Sequence, residues 1–421
     1  MMKLSLKNIG KIENASIEIN GITSIAGENN TGKSTVGRTL FSVFNSFHDM
    51  DIKIKEERIR GVQNVINLIY QNTSSKRLVS YNTRRLAKDI INASEEFQDD
   101  MQTLEDMVIA YISRYDKSFE ENVKKLNLEE WFSRLRNLMT IPEEDIFKAV
   151  LEKTMDIEFN GQINNIYSDK SGSIQLQIQD KTIDIRVHDN KVEDINESIP
   201  LFAEAIYLDD PFILDDNHAL YYRGGVGVMD HKTHLKHKLL HSREEANIVE
   251  EIAVNNKLDT IYKKISQVCS GEIIMDNHAT LGYQRKDSDK VLDIRNLSAG
   301  LKTFVILKEL LQNGSIEYNG TIILDEPEIH LHPEWQLIFA ELIVLLHKEF
   351  GMHILLNTHS PYFLRAIQVY SAKHEVADRC KYYLAELSGT NAVIHDVSDD
   401  VEKIYQKLSR PLQKLEDIMV S

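Results

Sequence analysis

Four short stretches carry residues whose types and spacing can do chemistry. The first, Gly27-Glu28-Asn29-Asn30-Thr31-Gly32-Lys33-Ser34-Thr35, fits the pattern G-x-x-x-x-G-K-[ST] in full. Its glycines let the backbone close tightly around an oxyanion. Successive N–H groups and the start of a following helix supply positive potential there. In such a loop Lys33 reaches the β- and γ-phosphates of a nucleotide, and the Ser34 hydroxyl ligates Mg²⁺. The second stretch is Asp325-Glu326-Pro327, which ends the apolar run Thr321-Ile322-Ile323-Leu324. A buried strand that delivers two carboxylates at its C-terminal end suits metal-assisted phosphate-ester hydrolysis, with Asp325 in the Mg²⁺ shell and Glu326 polarising the attacking water. The third is Thr358-His359-Ser360-Pro361 after the run His353 to Asn357, which places an imidazole within reach of a γ-phosphate. The fourth, Asn296-Leu297-Ser298-Ala299-Gly300, precedes helically spaced apolar residues at Phe304, Leu307, Leu310 and Leu311, and on its own reads as a serine helix cap.

Two further clusters are weaker. Asp209-Asp210-Pro211 through Asp215-Asp216 offers paired carboxylates for a metal, but reads more simply as an acidic turn at a strand end. His231, His234, His237 and His241 fall at helical spacing among lysines, which fits either a metal site or an amphipathic basic helix.

Particular elements must position these residues. Leu4 and Leu6, then Ala15, Ile17 and Ile19, alternate with polar residues as edge strands do. Ile22 to Ala26 reads as a buried strand leading into the loop, and Thr35 to Phe44 as a helix leading out. Residues 48–155 are polar and helical in period. Within them Phe97, Met101, Leu104, Val108, Tyr111 and Tyr115 form a short apolar seam that predicts packing on a neighbouring helix. Basic clusters at Lys53-Ile54-Lys55, Lys76-Arg77 and Arg84-Arg85 are interleaved with acids, as on a solvated face. Pro142 with Glu143 and Glu144 marks a helix start. From Ile157 the period changes to two, and Ile174, Leu176 and Ile178 against Ile183, Ile185 and Val187 predict a β-hairpin around residues 179–182. Ala203 to Leu208 is another buried strand, Pro333 opens a helix, and the end of the chain holds a strand (Lys381 to Leu387) and an amphipathic helix (Val401 to Met419). The expected architecture is α/β: a mixed sheet with flanking helices over residues 1–47 and 200–421, interrupted by a mainly helical insertion (48–155) and a small antiparallel β-hairpin region (156–199).

The 421 residues can bury one or two sizeable cores. A formal net charge of −16 argues against a surface that binds nucleic acid everywhere, and leaves only a local basic groove open. Two cysteines, Cys269 and Cys380, point to a reducing compartment. No apolar run approaches the ~20 residues needed to span a bilayer, and a cytoplasmic location is expected.

The order of motifs carries a resemblance. Phosphate loop, L-S-x-G, four apolar residues with D-E-P, then a strand ending T-H-S is similar to the ABC-type ATPases. Asp325-Glu326-Pro327-Glu328-Ile329-His330-Leu331-His332-Pro333 resembles the soluble RecF/SMC and OLD (overcoming lysogenisation defect) branch, AAA_15- and AAA_21-like, including ATPase subunits of bacterial anti-phage defence systems. The resemblance covers residues 1–47 and about 290–365, and is absent over 48–199.

It implies the following. ATP and Mg²⁺ bind through Gly27, Asn29, Asn30, Thr31, Gly32, Lys33, Ser34 and Thr35, with Ser34 and Asp325 on the metal. Glu326 is the catalytic base and His359 the switch histidine. Ser298 and Gly300 form the signature that closes on ATP held by a second copy, although Ala299 and Leu301 depart from the commonest L-S-G-G-Q form. The Q-loop glutamine has no assigned position, Gln63 and Gln71 being the nearest candidates. The implied protein is an ATP-dependent homodimer or higher homo-oligomer that acts as a switch on a separate effector, a nuclease or toxin, in anti-phage defence. OLD proteins carry a Toprim nuclease after the ATPase, and the residues after His359 supply no clustered carboxylates of that kind. Two other roles stand beside this one: a RecF-like repair ATPase acting on DNA, and an ATP-bound scaffold with negligible hydrolysis.

Overall fold

A computed structural model describes residues 2–73, 80–93, 101–114, 129–196, 199–216, 228–240, 258–275 and 281–420. The chain divides into two compact units. One comprises Met1–His48, Leu151–Arg223 and Met229–Ser421, and the other is centred on Asp49–Val150.

The first unit is built on an 11-stranded sheet. Its strands are β1 (Met2–Ile9), β2 (Ile12–Ile19), β3 (Ile22–Gly27), β4 (Gly172–Ile178), β5 (Lys181–His188), β6 (Lys191–Asn196), β7 (Ala205–Leu208), β11 (Thr321–Asp325), β12 (His353–Thr358), β13 (Cys380–Ser388) and β14 (Asn391–Asp396). Their spatial order is β6-β5-β4-β1-β2-β14-β13-β3-β12-β11-β7. A separate three-stranded sheet holds β8 (Gly271–Met275), β9 (Leu281–Arg285) and β10 (Val291–Asp293).

The two halves of the large sheet differ in a way the sequence explains. From β13 through β3, β12 and β11 to β7 all pairings are parallel. Parallel strands are covered on both faces, so they are mostly apolar, with small polar residues such as Thr23 and Ser24 among them. Every residue of β3, β7 and β11 is accordingly buried. On the other side β2, β1, β4, β5 and β6 pair antiparallel, and β2 and β4 alternate between buried and exposed residues.

Residues 156–199 do not form a region apart. The hairpin β4–β5 forms around Gln179 and Asp180, with Gln179 at φ 56°, but its first strand pairs with β1 in the register Leu4↔Leu176 and Leu6↔Ile174. An open edge on β1 with matching apolar residues draws the hairpin into the main sheet. The change to a period of two at Ile157 also comes later than expected. The helix that opens at Glu143 runs on to Phe159 and stops where Asn160 and Gly161 adopt positive φ.

Helices pack on the sheet: α1 (Lys33–Phe47), α6 (Glu143–Phe159), α7 (His231–Leu240), α8 (Ala299–Gln312), α9 (Pro333–Phe350), α10 (Pro361–Lys373) and α11 (Glu402–Val420). The main core gathers Ile22, Leu324, Phe304, Phe339, Leu356 and Phe363. Both free cysteines are buried, and no helix among the described residues is long and apolar enough to cross a membrane.

The second unit is helical: α2 (Met50–Thr73), α3 (Ser80–Asn92), α4 (Met101–Ser113), α5 (Glu129–Thr140) and the start of α6. Its core includes Ile66, Leu86, Leu104, Val108, Phe132 and Leu135. The seam residues Leu104 and Val108 therefore pack within the chain, whereas Phe97 and Tyr115 lie outside the described residues. Arg84 pairs with Glu56, consistent with a solvated face, and Lys76-Arg77 are outside the described residues. Gln63 donates to Thr83 Oγ1 at 3.2 Å within this unit.

Candidate functional site

The phosphate loop joins β3 to α1. Thr31 donates to the Glu28 carbonyl at 2.8 Å and closes the turn. Gly32 caps α1 at φ 81°, where a Cβ would lie 2.9 Å from Ile12. Gly27 lies so near β13 that a Cβ would lie 2.3 Å from the Ala385 carbonyl. Ser34 and Thr35 stand in the first turn of α1, half-buried. Lys33 is buried (4% exposed), and its Nζ donates to the Gly27 and Glu28 carbonyls at 3.1 and 2.9 Å.

Neighbouring parallel strands bring the distant motifs to this loop. β12 lies between β3 and β11, with Asn357 opposite both Ile25 and Asp325. The Glu326 carboxylate consequently lies 3.5 Å from Lys33 Nζ and 3.4 Å from His359 Nδ1. Glu326 adopts φ 51°, and its N–H donates to the Asn357 carbonyl at 2.9 Å. Pairing with His359 holds the Glu326 carboxyl below its usual range, with Lys33 adding to the effect, and the same contact holds the His359 imidazole above its usual range. The pair is thereby biased towards its charged form.

Asp325 is held on both oxygens. Tyr207 OH donates to Oδ2 at 2.7 Å and Asn357 Nδ2 donates to Oδ1 at 3.0 Å. Glu328 is buried at 2% exposure, and its Oε1 accepts from Thr358 Oγ1 at 2.5 Å and from the His359 N–H at 3.2 Å. Burial raises its carboxyl pKa. The motif therefore supplies three carboxylates with three environments: one held by two donors, one facing Lys33 and His359, and one buried against Thr358 and the His359 N–H.

Donor chemistry and one orphaned group fit a metal-nucleotide site. Ser34 and Asp325 offer oxygen ligands, which suit a hard cation that keeps water and phosphate in its remaining positions. Asn357 Oδ1, on the side chain that holds Asp325, is buried with no hydrogen-bond partner among the described residues, and so leaves an acceptor that water on a bound cation would satisfy.

Ser298 and Gly300 are not joined to this cluster by any hydrogen bond or ion pair among the described residues. Ser298 is exposed and caps α8, accepting from the Leu301 N–H at 3.4 Å. Gly300 lies against α9, where a Cβ would lie 2.8 Å from the His330 carbonyl and 3.3 Å from the Trp335 ring.

The two weaker clusters resolve into structural pairs. Asp210 caps the short 3-10 turn Pro211–Asp215, Asp209 accepts from His231, and Asp215 accepts from buried Lys302. His231 and His234 are buried and paired with carboxylates, His231 between Glu158 and Asp209 and His234 with Glu204. Contacts with Asp209 and Glu158 outweigh burial and push the His231 imidazole up to about 9. No group of three or more potential metal-binding side chains occurs among the described residues, and His241 lies outside them.

Reading the sequence missed Tyr207, Asn357, Glu328 and Thr358 as parts of the site. Glu328 and Thr358 lie within the motif strings, and Asn357 ends the run that leads into one of them. Tyr207 is 118 positions from its partner, and only its place in a buried strand pointed towards it.

Residues 22–365 match the AAA_21 family, described as "AAA domain, putative AbiEii toxin, Type IV TA system". The chain belongs to the AAA_21 family. Among curated relatives, the Septu protein PtuA of Bacillus thuringiensis is 29% identical over 169 residues, 34% of this chain and 39% of PtuA. The Retron Vc95 probable ATPase of Vibrio cholerae serotype O1 biovar El Tor is 27% identical over 184 residues, 41% of this chain and 34% of that protein. The chain thus spans less than two fifths of either relative's length. Among solved structures, the SMC head domain from Thermotoga maritima aligns with 94% of this chain and 98% of its own at 12% identity and a TM-score of 0.39. AAA_21 membership agrees with the resemblance read from the motif order, and one of these relatives is named a probable ATPase.

Proposed function

We propose that this chain binds ATP with Mg²⁺ and hydrolyses it, that two copies close on the nucleotide, and that the resulting switch controls a separate effector, a nuclease or toxin, in anti-phage defence. The observation that carries the reading is the convergence of Lys33, Glu326 and His359 from the ends of three parallel strands and their loops, at 3.5 and 3.4 Å.

Each residue then has a task. Loop N–H groups from Gly27 to Thr35 receive the phosphates, and Lys33 turns its ammonium from the loop carbonyls towards them. Ser34 and Asp325 hold Mg²⁺, which when bound neutralises phosphate charge. Glu326, kept ionised by its neighbours, takes the proton of the attacking water, and His359 senses the γ-phosphate. Ser298, exposed at the start of α8, is offered to the ATP of a second copy, where a helix N-terminus favours an anion.

Steady-state phosphate release tests the assignment. Glu326→Gln is expected to lower kcat by about 100-fold or more while retaining ATP affinity, and Lys33→Ala to abolish binding. Unchanged turnover in Glu326→Gln would overturn the role of Glu326.

A further inference from the structure

Tyr207 stands on β7, the last strand of the large sheet, opposite Ile323 of β11. Side chains two apart on a strand share a face, so its hydroxyl reaches Asp325 rather than solvent. The residue is 1% exposed and its OH lies 2.7 Å from Asp325 Oδ2. Asn357 holds the other oxygen at 3.0 Å. Two donors on opposite oxygens fix the plane of a carboxylate, and each oxygen keeps a second lone pair that a cation could take.

The ring itself is clamped. Phe41 meets it edge-on at 6.3 Å, and the His231 ring lies against it at 4.5 Å with a tilt of 41°. His231 cannot swing away, because Nδ1 is 2.8 Å from Glu158 Oε2 and Nε2 is 3.0 Å from Asp209 Oδ2. On the remaining side α1 makes room through Gly37, where a Cβ would lie 2.9 Å from Tyr207 Cε2. A buried tyrosine needs a partner for its hydroxyl, and here that partner is the motif carboxylate of Asp325.

We infer that Tyr207 is a positioning residue for the metal-holding carboxylate of Asp325, and that His231, locked between Glu158 and Asp209, sets the position of Tyr207. This rests on the reading that Asp325 holds a divalent cation beside bound nucleotide. It adds to the site a support from β7, α6 and α7 that the motifs do not contain.

The test is a titration of the purified full chain with Mn²⁺ in the presence of ADP, followed by electron paramagnetic resonance, with ADP affinity measured separately in EDTA. Tyr207→Phe keeps the ring and deletes the hydroxyl. It is expected to weaken nucleotide-dependent Mn²⁺ binding by about 10-fold or more, leaving metal-free ADP affinity unchanged. His231→Gln, which keeps the hydroxyl but loosens the ring, is expected to weaken Mn²⁺ binding by a smaller factor. Wild-type Mn²⁺ affinity in a folded Tyr207→Phe protein would overturn the inference and leave the metal-nucleotide reading intact. Should Tyr207→Phe fail to fold, wild-type Mn²⁺ affinity in His231→Gln would overturn it. Absence of nucleotide-dependent Mn²⁺ binding in the wild type would remove the metal reading, and the inference with it.

Discussion

Glu328 shows how much of the loop Thr358-His359-Ser360 depends on one buried side chain. Its Oε1 accepts from both Thr358 and the backbone N–H of His359, so it fixes the loop that aims the imidazole. Glu328→Ala leaves the buried Thr358 hydroxyl and the part-buried His359 N–H without this acceptor and opens a cavity, at a cost on the order of 3 kcal/mol. Glu328→Gln keeps the acceptor and, because burial already raises the carboxyl pKa, is expected to cost far less. Urea denaturation of both variants checks this, and equal losses in the two would contradict it. At this scale the sequence was most readable where chemistry is written contiguously. Lys33, Asp325, Glu326 and His359 each sit in a short string with a fixed pattern. Glu328 lies within one such string and Asn357 beside another, yet their roles depend on which neighbour the fold supplies. Tyr207 has no string at all, since its meaning comes from the register that places β7 against β11.

Elements were legible in proportion to how far their own apolar pattern decides their burial. The parallel strands β3, β7, β11 and β12 and the helices α8 and α9 follow from short, mostly apolar runs or helically spaced apolar residues. Pairing partners did not follow, because a hairpin such as β4–β5 pairs equally well alone or on an open edge, and only the placement of β1 decides. Helix α7 is a second case, since its histidines carry no signal of the carboxylates they meet. That contact yields a pH prediction. The folded pKa of His231, about 9, lies above its usual 6.5, so the fold retains the proton. Its contribution is complete below pH 6.5 and is lost as pH rises through about 9. Between these limits urea-unfolding stability of the wild type is expected to fall relative to His231→Gln by on the order of 3 kcal/mol, through loss of the contacts to Glu158 and Asp209. Parallel pH profiles for the two proteins would contradict the assignment.

For the molecule as a whole, the sheet-bearing unit contains the complete phosphate-loop cluster, while the exposed cap at Ser298 has no partner within that cluster. A loop that reads as a generic nucleotide site therefore acquires a second requirement under the proposed function: the serine of another copy. The acidic balance of −16 makes such a closure depend on specific charges, because two copies repel at long range. Sedimentation velocity of Glu326→Gln with Mg-ATP, compared with Mg-ADP and with Glu326→Gln/Ser298→Arg, tests this most directly. A dimer is expected with ATP alone, and monomer both with ADP and in the Ser298→Arg double variant. A monomer throughout, or a dimer indifferent to nucleotide and to Ser298, would contradict it.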